Sequence, residues 1–179
     1  LDEEMRAAQP TPEQAEQLAP MIAMHARMAM EGEAEGSLRL LARVIAGQLE
    51  QDDLSPAEFA SYARILSGMR HAEIIALGTF YRSWQEAEKA DLGPKEDAVE
   101  RTANMAYSGK MVPNVVPNYG ELKALMSGLT RTGLLIEVPT VDGGNRYQPS
   151  SLFHRLSELA SLESAAEPAA TAQGKSAVD

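Results

Sequence analysis

Leu122-Lys123-Ala124-Leu125-Met126-Ser127-Gly128-Leu129-Thr130-Arg131-Thr132-Gly133-Leu134-Leu135-Ile136-Glu137-Val138, followed shortly by Asp142-Gly143-Gly144-Asn145-Arg146-Tyr147-Gln148, changes its hydrophobic period twice. Leu122, Leu125, Met126 and Leu129 recur at helical spacing, and Asn118 stands where a cap for that helix belongs. Thr132-Gly133 ends it, with glycine free to take the left-handed stop conformation. Leu134–Val138 is an apolar run of strand length, and Asp142–Asn145 is a hairpin-type turn. Arg146–Gln148 can return as the second strand. Pro149-Ser150 then opens a last helix carrying Leu152, Phe153, Leu156 and Leu159.

Working outward toward the N-terminus, every element reads as helix. Thr11-Pro12-Glu13-Gln14 and Ser55-Pro56-Ala57-Glu58 are capping boxes with proline at the first helical position. The first helix meets Pro20, which should end or kink it; beyond it Met21, Met24 and Met28 share a face. Glu31–Gly36 reads as a loop and Ser37 as the cap of a second helix, with Leu38, Leu41, Val44, Ile45 and Leu49 on its apolar side. Asp52-Asp53 marks a break. Phe59, Tyr62, Ile65, Leu66 and Met69 line the third helix, and Gly68 precedes a longer one over about 70–89 with Ile74, Leu77, Tyr81 and Trp84. A mostly polar helix over about 94–106 carries Ala98, Val99 and Met105. From Gly109 the two prolines of 111–117 predict an extended connector. Residues 1–10 read as a polar lead-in and 163–179 as a disordered tail.

The order helix, glycine stop, strand, Gly-rich turn, strand, helix resembles a winged-helix unit over residues 70–162, carried by Leu122–Leu135 and the hairpin. Residues 37–89 followed by this hairpin also look faintly like bacterial abortive-infection alpha-type helical domains. The expected fold is mainly α: a helical N-terminal region (1–69), a winged-helix-like domain with one small β-hairpin (70–162), then the tail. In winged-helix families the third helix commonly lies in the major groove of DNA and the wing touches its backbone. That resemblance makes Lys123, Ser127, Thr130 and Arg131 the exposed third-helix candidates and Arg146 the wing contact. The same helix also bears Glu121, and the wing tip bears Asp142.

Charge bears on that choice. The 179 residues hold 16 Lys+Arg and 26 Asp+Glu, a formal net charge of −10. Residues 1–108 carry 10 basic and 19 acidic side chains, residues 109–162 carry 5 and 4, and residues 163–179 carry 1 and 3. An acidic body repels polyphosphate, so only the C-terminal half can offer a nucleic-acid surface. With no cysteine, thiolate metal sites and disulfides are excluded, which fits a cytoplasmic setting. The longest apolar run, about 74–81, is too short to span a bilayer, so no membrane partner is expected. The chain begins at Leu1, not Met, and reads as a fragment or a processed product.

No constellation points to chemistry. His71-Ala72-Glu73 has the spacing of zinc deaminases but lacks their cysteine ligands, and reads as a helix start. His25 and His154 form no metal-binding pair with it. The clusters Glu31/Glu33/Glu35, Asp52/Asp53 and Glu96/Asp97/Glu100 lack the pattern of a calcium loop and read as solvated loops or helix faces. Gly128–Gly133 has no lysine and stands at the wrong end of a helix to cradle phosphate. No catalytic residue, metal or cofactor is assigned. The methionine stripe reads as core before it reads as an adaptable partner groove. The leading expectation is a non-enzymatic regulatory or interaction protein that binds another protein, or a second copy through helices 37–50 and 70–89. The alternative is a DNA-binding regulator that reads with helix 119–131 and the wing 134–148; an enzyme with an unrecognised site is the weakest.

Overall fold

The computed structural model describes residues 11–31, 35–51, 55–93, 97–141, 143–160 and 162, and only the backbone of 35 and 47–51. Among them lie seven helices and one hairpin: α1 (Pro12–Met30), α2 (Glu35–Gln51), α3 (Pro56–Leu66), α4 (His71–Lys89), α5 (Ala98–Met111), α6 (Tyr119–Arg131), β1 (Leu135–Pro139), β2 (Asn145–Pro149) and α7 (Ser151–Leu159). The expected mainly α architecture with a small C-terminal hairpin is what the chain adopts. The breaks expected at Asp52-Asp53 and Gly32–Ala34, the turn residue Asp142, the lead-in and the tail lie outside the described residues.

Both capping boxes form as the sequence dictates. Thr11 Oγ1 accepts from the Gln14 N–H while Gln14 Oε1 accepts from the Thr11 N–H, and Ser55 and Glu58 exchange the same pair of bonds. Other local expectations need correction. Pro20 does not end α1: it sits on the exposed side, where the carbonyl it leaves unpaired can reach water, while Leu18 and Met21 beside it anchor the helix in the core. Helix α2 begins at Glu35, so Glu35 and Gly36 are helical and Ser37 lies inside the first turn, not at the cap. Helix α5 runs through Gly109 to Met111, and its buried side is Ala98, Glu100, Ala103, Tyr107 and Met111. Met105 is 70% exposed. The two-proline connector is turned, with the N–H groups of Val115 and Val116 both donating to the Met111 carbonyl.

The strands pair antiparallel, Leu135 opposite Pro149 and Pro139 opposite Asn145, one residue later than the expected 134–138. The N–H of Ser150 donates to the carbonyl of Leu134, and that of Thr140 to Gly144. Hydrogen-bonded pairs therefore fall at the alternate positions, and both prolines occupy pairs where β1–β2 bonding asks no N–H of them. Gly133 takes φ +79° just past α6, the left-handed stop its sequence position implies.

One buried cluster takes side chains from α1 through α7, on both sides of residue 69. Met21 and Met28 are buried in it and Met24 packs against it, so the methionine stripe is core. Phe80 is its hub, fully buried with ring centroids 5.4 Å from Tyr107, 5.9 Å from Trp84 and 6.2 Å from Phe153. That contact set ties α4, α5 and α7 together and fixes where the hairpin between α6 and α7 can sit.

Candidate functional site

The hairpin is docked on α5 by side chains that substitute for a third strand. Tyr147 stands opposite Glu137 in a pair without β1–β2 hydrogen bonds, so its own N–H and carbonyl turn away from β1. Asn104 meets them: its Oδ1 accepts from the Tyr147 N–H at 3.0 Å, and its Nδ2 donates to the Tyr147 carbonyl at 2.9 Å. The same Nδ2 donates to the Glu100 carbonyl at 2.8 Å within α5. One amide thus covers the outer edge of β2 at Tyr147. Glu100, buried, accepts from Gln148 and lies 3.6 Å from Arg146.

Between this hairpin, α5 and the first turns of α6 lies a cleft of about 260 Å³. Its floor is Tyr107, Leu122, Met126 and Tyr147, and its rim is Ser108, Tyr119, Lys123 and the turn Gly143–Asn145. The Tyr107 hydroxyl is spent inward, donating to Met126 Sδ at 3.0 Å. Burial, with a smaller push from Tyr147, raises that phenol far above its ordinary range, so it stays neutral. Burial first and Glu137 second likewise raise Tyr147. A more open groove of about 450 Å³ continues from the cleft over Arg101, Met105, Gly109 and Arg146. The two share Asn104, Ser108 and Tyr119. Met105 and Tyr119, 70% and 66% exposed, put two large apolar groups on this one surface. No carboxylate is among the described residues lining either depression.

The five residues proposed from sequence are spread over different surroundings. Lys123, Ser127 and Arg131 are exposed and Thr130 half-buried, all on one face of α6 by helical spacing. Lys123 lines the cleft and has no ion-pair partner among the described residues. Ser127 and Thr130 bond locally, Thr130 Oγ1 donating to the Ser127 carbonyl. Arg131 lies by the start of α4. Gly128 lets the Glu73 carboxylate rest against α6: a β-carbon there would stand 2.6 Å from Glu73 Oε1 and 3.9 Å from an Arg131 guanidinium nitrogen. Burial is the largest single influence on Glu73 and opposes its ionisation. The hydrogen bonds from Arg70 and the charges of Arg70 and Arg131 together outweigh it and hold the carboxyl below its usual range. Arg146 is committed elsewhere, to Asp97 at 3.0 Å and Glu100 at 3.6 Å, at the start of α5. Its hydrogen bond, aided by Arg101 against some desolvation, pulls Asp97 below the ordinary carboxylate range.

Comparison with family models, with curated proteins and with solved structures gives no match. The site therefore stands on its own geometry. Sequence reasoning missed Asn104, Ser108, Tyr119 and Met105. A signal for Asn104 was present: Glu100, Asn104, Tyr107 and Met111 follow one another at helical spacing, and polar residues within a buried stripe imply committed partners. Tyr119 and Met105 carried none, because an exposed apolar residue is identified only by what surrounds it.

Proposed function

We propose that this chain is a non-enzymatic interaction protein whose working surface is the cleft and groove shared by α5, α6 and the hairpin. Its partner is a protein segment that combines apolar side chains with carboxylates. One observation carries this reading: Met105 and Tyr119 stand exposed on a surface whose rim holds Lys123, a cation with no ion-pair partner among the described residues. Exposed aromatic and Met side chains beside cations are the composition of interface centres, and opposite charge selects an acidic partner. The order α6, β1, turn, β2, α7 supports the finer description of a winged-helix-like unit, a module that serves protein contacts as well as DNA.

The α6 face with Lys123, Ser127 and Arg131 favours a second reading, DNA binding, and Arg146 weighs against it. Held by Asp97 and Glu100, that guanidinium is not available for a backbone phosphate without first breaking two ion pairs. Fluorescence anisotropy separates the readings. A labelled acidic, apolar peptide should bind the chain and lose binding on Tyr119→Ala, while a charge-reversed peptide and random duplex DNA should not bind. DNA binding that weakens steeply with salt, without peptide binding, would replace this reading with the DNA-binding one.

A further inference from the structure

The cleft at the closed end of this surface has features that the open groove lacks. It holds a cation without a partner among the described residues, Lys123, whereas the groove's Arg101 and Arg146 both pair with Asp97. It also meets an unused stretch of strand edge. Tyr147 turns its backbone groups outward to Asn104, and with the strand period of two Asn145 turns its N–H and carbonyl to the same edge. Asn145 lines the cleft, beyond the reach of the Asn104 amide, which is spent on Tyr147 and Glu100. Ser108 adds a hydroxyl to the rim with no bond of its own among the described residues. The floor is apolar and the volume, about 260 Å³, is smaller than pockets that hold whole drug-sized ligands.

An ammonium, an outward backbone N–H and a hydroxyl around a small apolar floor match a carboxylate whose neighbouring carbon bears an apolar side chain. From this we infer that the cleft captures the C-terminal carboxylate of the partner chain. Lys123 neutralises the carboxylate, Asn145 N–H and Ser108 donate to its oxygens, and the last side chain lies on Leu122 and Met126. A charged acceptor is worth more to these donors than a neutral one. A chain end needs only one exit, which leads along the groove past Tyr119 and Met105. This inference rests on the interaction reading above and adds which part of the partner is held.

The test uses the full chain and libraries of short labelled peptides randomised over their last residues, made once with a free carboxylate and once amidated. Free-acid peptides ending in apolar residues should bind about tenfold or more tightly than their amides. Lys123→Met, at an exposed position, should remove that preference while thermal stability stays unchanged. Equal binding of acid and amide, or a preference that survives Lys123→Met, overturns the inference and leaves the interaction reading standing. Competition by a small apolar acid as effective as the peptide itself overturns the assignment to a partner's chain end. If neither library binds, and internal acidic segments do not bind either, both readings fall.

Discussion

At the scale of the residue, Asn104 does what its position in a buried stripe implies and what no local propensity reveals. Its amide is isosteric with a peptide group, so it pairs with both backbone groups of Tyr147 as a neighbouring strand would. Asn104→Ala leaves an N–H and a carbonyl of a half-buried strand edge without protein partners. It should destabilise the chain by about 2 kcal/mol in denaturant titration. Asn104→Asp should cost more, since a carboxylate would face the Tyr147 carbonyl. The opposite case is Ser83, whose residue is 1% exposed and whose hydroxyl has no hydrogen-bond partner among the described residues. Ser83→Ala removes an unpaid desolvation and improves helix propensity, so stability should rise by about 1 kcal/mol, read as a higher thermal midpoint.

At the scale of the element, the hairpin is held less by its own two strands than by α5. Arg146 to Asp97 and Glu100, Gln148 to Glu100, and Asn104 to Tyr147 are all contacts between β2 and the first two turns of that helix. The Asp97 carboxyl is held below its ordinary range chiefly by the Arg146 hydrogen bond. A depressed folded value contributes stability above the unfolded pKa and loses it as pH falls through the folded one. Asp97→Asn should therefore be less stable than the parent at neutral pH, and the difference should shrink steadily once the pH drops below about 4. A difference that is constant from neutral to acid would show that the pair does not anchor the hairpin. The left-handed Gly133 belongs to the same scale: Gly133→Ala should cost about 1 kcal/mol through backbone strain at φ +79°.

At the scale of the molecule, Phe80 joins three helices from the sequence interval 71–159 to a buried cluster that also contains Leu18, Met21, Leu41 and Phe59. Phe80→Ala should lower one cooperative unfolding transition by about 4 kcal/mol. Separate melting of residues 12–66 would instead place a domain boundary near residue 69. Much of this architecture is legible in the sequence because capping boxes, glycine stops and helical stripes are local signals, as at Thr11, Ser55 and Gly133. Pro20 and Gly109 mislead because tertiary packing overrides propensity: Met21 and Met111 nearby are both buried in the core, and the helices run through. The cleft was only half legible. Lys123 was found from its helix face, but its setting depends on a hairpin folded back over α5 and α6, and that proximity has no sequence period. The central claim is that this cleft and groove bind a partner segment. The most direct measurement is a map of backbone amide NMR shifts while the full chain is titrated with an acidic, apolar peptide. Saturable shifts gathered at Asn104, Ser108, Tyr119, Lys123 and Asn145 are the predicted result; shifts absent there, or confined to α1 and α2, would contradict it.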